Sequence, residues 1–189
     1  MMIRHYKRFS IKILRKFLIQ EFVKDVKRNI QMKSIEVRQA VDSDVGRITQ
    51  LFFDTIQNIN IRDYSQEEVD DWSSWKADID KWLEKMQEQY FVVAEINNKI
   101  LGFSSLAQDG YLDFMFVDKD TQGQGVASAL LSEIEKKAID QKNDLIYSDV
   151  SLTAKGFFES KGFIVERQQL KKSKKKELIN FRMIKNNAQ

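Results

Sequence analysis

The chain has 189 residues, with 31 Lys/Arg against 28 Asp/Glu, 3 Trp, 5 Tyr, 13 Phe, no cysteine, no proline and one histidine, His5. That length suits one domain with an extension. The lack of cysteine excludes disulfides, thiolate metal sites and a cysteine nucleophile; a lone His5 excludes a Ser-His-Asp triad in the body of the chain, and no run of 18 uncharged apolar residues offers a membrane-spanning helix.

Residues 1–33 hold ten Lys/Arg against Glu21 and Asp25, a charge of +8, which leaves 21 basic and 26 acidic residues, or −5, for the remainder. The basic balance therefore belongs to the arm and not to the domain. Phe9, Ile13 and Phe17, with Leu14, Leu18 and Phe22, recur at helical spacing. Residues 1–31 read as a membrane-surface helix, a targeting segment, or an extension ahead of a natural start at Met32. The domain is expected over 34–186, with 187–189 as a tail.

Residues 35–38 alternate as a strand does. Asp42 is placed to cap the next helix, whose apolar face is Val45, Ile48, Leu51, Phe52 and Ile56. Ser65-Gln66-Glu67-Glu68 is a capping box, and it predicts a second helix running through Trp72 and Trp75 to Ile79, Trp82, Leu83 and Met86. At least two of the tryptophans are expected in the core, and one is left to wall a substrate pocket. Tyr64 and Trp72 are the substrate-binding candidates. The acids Asp63, Glu67, Glu68, Asp70 and Asp71 form either a negative rim to that pocket or a solvated face. Residues 91–96 and 99–103 read as a hairpin turned by Asn97-Asn98, which tolerate positive φ. Asp109-Gly110 turns the chain into a strand at 111–117.

That strand, Tyr111-Leu112-Asp113-Phe114-Met115-Phe116-Val117, passes through Asp118-Lys119-Asp120-Thr121 into Gln122-Gly123-Gln124-Gly125-Val126-Ala127-Ser128. A helix starts there, with Val126, Leu130, Leu131, Ile134 and Ala138 on its apolar side. Two glycines in a first turn cost about 1 kcal/mol each relative to alanine. They leave backbone N–H groups uncovered at the positive end of the helix, where an anion can bind. A P-loop requires Lys-Ser or Lys-Thr after its last glycine, and Val126-Ala127 follow instead. A dinucleotide fingerprint would need Gly or Ala at Ser128 and an immediately preceding strand. Beyond the helix, 144–150 reads as a strand, 151–162 as a helix ended by Gly162, and 163–170 with 177–184 as a final hairpin. Lys171 to Lys176 reads as a solvated tip that offers no nucleic-acid surface.

Gln122-Gly123-Gln124-Gly125-Val126-Ala127 fits the pattern Gln/Arg-x-x-Gly-x-Gly/Ala. It resembles the acetyl-coenzyme A pyrophosphate loop of the GNAT N-acetyltransferase superfamily. A second stretch, Ser151-Leu152-Thr153-Ala154-Lys155-Gly156-Phe157-Phe158-Glu159-Ser160-Lys161-Gly162-Phe163, is similar to that family's Asn-x-x-Ala-x-x-Phe-Tyr-x-x-x-Gly-Phe element. The order of elements over 34–186 agrees. The Thr-Ala-x-x-Phe-Phe variant and the closing Asn180-Phe181-Arg182-Met183 look most like a bacterial branch.

The resemblance implies an α/β (α+β) GNAT fold: a mixed, mostly antiparallel twisted sheet of about seven strands, flanked by helices, with two splayed parallel strands holding the cofactor. It implies a cytoplasmic enzyme moving acetyl from acetyl-CoA to a primary amine of a small molecule or peptide, without metal or nucleic acid. Homodimers are common in this fold. Backbone groups of Met115, Phe116 and Val117 would hold the pantetheine arm and thioester, and the amides of Gln122 to Ser128 the pyrophosphate, with Ser151 and Phe158 also at the cofactor. Ser151 replaces a common Asn, and Phe158 replaces the Tyr that protonates the leaving thiolate, so that role is either filled by Tyr111, Tyr147, Thr153 or a water, or dispensable because coenzyme A is a fair leaving group as a thiolate. Among bases Asp113 comes first, because an acid within an apolar strand is costly unless paired or used; Glu95 comes second. The alternative is a cofactor-binding module of the same fold without robust turnover.

Overall fold

The computed structural model describes residues 34–187, so the readings made for residues 1–33, membrane contact and targeting included, lie outside them. The described chain runs β1 (Glu36–Gln39), α1 (Val45–Asn58), α2 (Gln66–Ser73), α3 (Ile79–Glu88), β2 (Tyr90–Ile96), β3 (Lys99–Leu106), β4 (Leu112–Val117), α4 (Val126–Asp140), β5 (Leu145–Ser151), α5 (Lys155–Ser160), β6 (Ile164–Lys172) and β7 (Glu177–Asn186). The seven strands divide into an antiparallel sheet β1-β2-β3-β4 and a second, β5-β7-β6. A single parallel bridge, Tyr111 to Tyr147, links them. Among the described residues no helix is long and apolar enough to cross a membrane.

Period-two alternation gives the larger sheet two apolar faces. Val92 and Ala94 pack with Leu130, Leu131 and Ile134 of α4, while Phe91 and Val93 pack with Ile48, Leu51 and Phe52 of α1 and Trp82 of α3. In β4 the alternation slips. Leu112, Met115 and Val117 join the α4 side, and Phe114 and Phe116 join the other. The register explains this: Ser104 pairs with Met115 and Leu106 with Leu112, so β4 carries one extra residue, a β-bulge at Asp113 and Phe114.

Several local expectations hold. Asn97 and Asn98 turn the β2–β3 hairpin at φ 53 and 62, and Ser65 with Glu68 forms the reciprocal capping box of α2. Others are corrected. Asp42 caps nothing; Asp44 takes the Val41 N–H at 2.9 Å and a bidentate pair from Arg38. The helix expected from Ser65 to Met86 breaks into α2, a 3-10 turn at Ser74–Ala77, and α3. The break lets the Trp75 carbonyl accept from Trp82 Nε1 at 3.1 Å. Ser151 ends β5, so the last helix starts only at Lys155.

Candidate active site

The loop between β4 and α4 is fastened at both ends. Asp118 donates its N–H to the Leu101 carbonyl at 2.7 Å; its carboxylate accepts the Asp120 N–H at 2.9 Å and the Arg47 guanidinium. Burial opposes the Asp118 charge, but those partners outweigh it and hold the carboxyl below its ordinary range. Gln122 Nε2 reaches back to the Val117 carbonyl at 2.7 Å, where Thr55 Oγ1 also donates at 2.9 Å. Gly123 and Gly125 sit at φ 73 and 89, in the left-handed region that favours glycine. A Cβ on Gly123 would meet nothing within 4 Å, so space lies open above it. The α4 ladder begins with Ala129 N–H on the Gly125 carbonyl. The amides of Gly123, Gly125, Val126, Ala127 and Ser128 have no hydrogen-bond partner among the described residues.

These amides open into a cavity of about 810 Å³ between β4 and β5. The two strands are joined at one end, by the Tyr111–Tyr147 bridge and by Ser148 Oγ donating to the Leu112 carbonyl at 2.7 Å. Asp118 bonds across to β3, so the alternation of an antiparallel ladder turns Phe116 toward β3 as well. The N–H groups of Met115 and Val117 then point away from β3, into the cleft.

Aromatic rings build one wall. Trp72 meets Tyr64 and Phe116 edge-on at 5.7 and 6.1 Å, and Trp82 lies 5.0 Å from Phe52. The Tyr64 hydroxyl donates to the Ile179 carbonyl at 2.7 Å and accepts the Leu152 N–H at 2.9 Å. Burial pushes this hydroxyl up to about 12, although the Leu152 N–H works the other way.

Two carboxylates reach the cavity from the strands. Asp113 accepts from Lys85 at 3.0 Å and from Gln89 at 2.8 Å. Asp149, with its side chain 6% exposed, collects Lys171, Arg182 Nε at 2.7 Å, Gln169 Nε2 at 2.7 Å and the Tyr111 hydroxyl at 3.2 Å. Burial works against the Asp149 charge, but Lys171, Arg182 and Gln169 outweigh it and hold the carboxyl low. Burial, with the charges of Asp113 and Asp149, pushes the Tyr111 hydroxyl well above its ordinary range, so it remains protonated. Thr153 Oγ1 is buried without a partner at the same cavity. Among the described residues no cluster of His, Cys, Asp and Glu is placed to hold a metal.

Residues 60–185 match the family model described as an acetyltransferase (GNAT) domain. The chain belongs to the GNAT acetyltransferase family. It is 32% identical over 152 residues to the uncharacterized N-acetyltransferase YafP of Escherichia coli (strain K12), covering 80% of this chain and 96% of that one. It is 25% identical over 145 residues to the uncharacterized N-acetyltransferase MJ1207 of Methanocaldococcus jannaschii, covering 70% and 62%. Among solved structures, a GCN5-related N-acetyltransferase from Rhodopseudomonas palustris superposes with a TM-score of 0.79 at 24% identity, over 82% of this chain and 97% of that one. PaiA N-acetyltransferase from Thermoplasma acidophilum, solved in complex with coenzyme A, gives 0.68 at 21%, over 81% and 99%. These two likenesses carry the fold.

Against this GNAT frame the expected residues sort themselves. Asp113, Tyr111, Met115, Val117, Gly123, Gly125 to Ser128, Tyr64 and Trp72 all line the cavity, as do Ser151 and Phe158. Glu95 does not: it lies on β2, its carboxylate taken by Arg38 at 3.0 Å. Gln124 is also outside the lining, its amide turned to the Thr121 carbonyl at 3.4 Å. Gln122 lines the cavity, but its side chain serves the loop anchor. Phe116 contributes its ring, since its backbone is engaged in the sheet. Tyr147 is outside, donating to Asp109.

None of the five acids expected at a rim lines the cavity. Glu67 pairs with Lys176, Glu68 caps α2, Asp70 takes Gln57 and Gln66, and Asp71 accepts the backbone N–H groups of Lys174, Lys175 and Lys176. The lysine tip is thus docked on α2, and it carries Lys171 and Lys172 to the cavity. Trp82 is buried, while Trp72 and Trp75 are half-buried cavity walls, so one core tryptophan is found where at least two were expected. Asn180 lines the cavity too, and sequence reasoning gave it no role.

Proposed function

We propose that this acetyltransferase moves the acetyl group of acetyl-CoA to a primary amine of a small molecule or peptide by direct attack on the thioester. One observation carries the reading. Unpartnered amides at the start of a fifteen-residue helix open into the same cavity as the inward N–H groups of two residues on a splayed strand. The amides of Gly123, Gly125, Val126, Ala127 and Ser128 suit a diphosphate, since they combine unpaired donors with the helix dipole. Acetyl-CoA supplies an activated acetyl thioester.

The chain supplies the remaining parts. The N–H groups of Met115 and Val117 are preorganised donors for a carbonyl oxygen gaining negative charge; one such donor is worth roughly 3 kcal/mol. Asp113 takes the proton of the incoming ammonium as general base. Phe158 cannot give a proton. Thr153, with a buried and uncommitted hydroxyl, is the better-placed donor toward a departing thiolate, because the Tyr111 hydroxyl is held between Asp149 and Lys171.

The test is a purified full-length chain assayed for coenzyme A release with acetyl-CoA and a panel of polyamines, amino-sugars and peptide amines. Release that depends on an amine supports the reading. Tight acetyl-CoA binding with no acceptor in any class would favour a binding module instead.

A further inference from the structure

One face of the three-stranded sheet is polar. Asp149 and Ser151 of β5 stand opposite Arg182 and Asn180 of β7, and Asn180 stands in turn opposite Gln169 of β6. Residues directly opposite share a face, with Cβ atoms about 4.5–5.5 Å apart, and alternation adds Lys171 to the group. Almost all of these side chains are committed. Gln169, Lys171 and Arg182 serve Asp149, and Ser151 Oγ accepts the Ala154 N–H at 3.1 Å.

Asn180 is the exception. It is 8% exposed, its Oδ1 is buried with no partner, and its Nδ2 donates to nothing among the described residues. Asn180 is among the residues that line the cavity. A carboxamide offers two donor hydrogens and an oxygen with two acceptor positions, and leaving it buried and unpaired is unfavourable. The position favours a bound group that both donates and accepts.

We infer that Asn180 is a ligand-binding residue whose carboxamide pairs with a secondary amide in the pantetheine arm of the acyl donor. The inference rests on the acetyl-CoA reading. The register points to the donor: Asn180 stands across from Ser151, the last residue of β5, one of the two strands that part to form the cleft. That end of β5 and the amide cradle line one cavity. The arm joining diphosphate to thioester carries two secondary amides, each with one N–H and one carbonyl, the complement of a carboxamide. A small-molecule acceptor amine has no obligatory group of that kind.

The test compares wild type with Asn180→Leu, which keeps the volume and removes hydrogen bonding, and with Asn180→Asp, which keeps an acceptor and removes the donors. Calorimetry with acetyl-CoA is paired with steady-state rates using acetyl-CoA and the amide-free thioester S-acetyl-2-mercaptoethanol. Both variants are expected to weaken acetyl-CoA binding by roughly 10-fold or more, while the amide-free thioester is used equally by wild type and Asn180→Leu. Unchanged acetyl-CoA affinity in a folded variant overturns the inference, as does a change confined to the acceptor KM or an equal loss with the amide-free thioester. Should Asn180→Leu not fold, Asn180→Asp carries the same comparison. Wild type that fails to bind acetyl-CoA defeats the parent reading and this one together; wild type and variants that bind alike defeat this one alone.

Discussion

The Asp113 carboxylate lies 3.0 Å from the Lys85 ammonium, and Gln89 donates to the same oxygen, Oδ2, at 2.8 Å. Its other oxygen, Oδ1, has no partner among the described residues, and the side chain, 16% exposed, stands at the cavity wall. The pair fixes the orientation of the carboxylate and leaves its other oxygen facing the cavity wall without a partner. Asp113→Asn is expected to keep acetyl-CoA affinity and to cut turnover by roughly 10²–10⁴-fold, read from steady-state kinetics on the best acceptor. Untouched turnover would place the base elsewhere. A joint loss of stability and affinity would make Asp113 a structural partner of Lys85.

Tyr64, just ahead of α2, ties that segment to β7 and to the residue after β5 through its hydroxyl, which donates to the Ile179 carbonyl and accepts the Leu152 N–H. Tyr64→Phe keeps the ring against Trp72 and strands both backbone groups. The expected loss is about 1–3 kcal/mol, read as a lower urea midpoint, with acetyl-CoA affinity retained. A variant as stable as wild type would show that water replaces the hydroxyl.

Phe158 is 3% exposed and packs edge-on against Phe163 at 5.0 Å and Phe157 at 5.6 Å. With no proton to give, it acts through packing alone. Phe158→Leu is expected to change turnover by less than about 10-fold, and Phe158→Tyr to be tolerated with equal or higher turnover. A loss beyond about 100-fold, roughly 2.7 kcal/mol, in a stable Phe158→Leu variant would give the ring a direct catalytic role.

Asp149 gives the fold a pH dependence of known sign. Its folded pKa is depressed below the unfolded carboxylate value of about 3.9. Its stabilisation is therefore complete above the unfolded value and is lost as pH falls through the folded one. Asp149→Asn is expected to cost on the order of 2 kcal/mol at pH 7, less than a wholly buried pair because Lys171 is half exposed. Urea unfolding across pH 7 to 2 should show the gap between wild type and variant closing at the acid end. A gap independent of pH would mean that the Asp149 charge contributes nothing.

Elements specified by short stretches were legible in the sequence: the Asn97-Asn98 turn, the Ser65–Glu68 capping box, and the Gly123 and Gly125 cradle. Each depends on φ preferences or hydrogen bonds within a few residues. The bulge in β4 was not legible, since one surplus residue within Leu112–Val117 shows only against the register of β3. The Lys174–Lys176 tip looked solvated because its partner, Asp71, lies about a hundred positions away. Glu95 passed for a base because its neutralising Arg38 sits on another strand. Asn180 carries no local signal; it stands out only once its neighbours across β5, β6 and β7 are seen to be committed.

The amide cradle bears most of the functional reading, and Gly125 is its hinge, at φ 89 with an added Cβ meeting only Ile35 at 3.8 Å. Gly125→Ala strains the backbone by about 1–2 kcal/mol without adding charge. Gly125→Glu adds the same strain and a negative group beside the proposed diphosphate position. Calorimetric titration of acetyl-CoA into wild type and both variants, each shown folded by circular dichroism, is the most direct measurement. The account predicts clear binding to wild type, weakened binding to Gly125→Ala and none detectable to Gly125→Glu. Near wild-type affinity in a folded Gly125→Glu would contradict it.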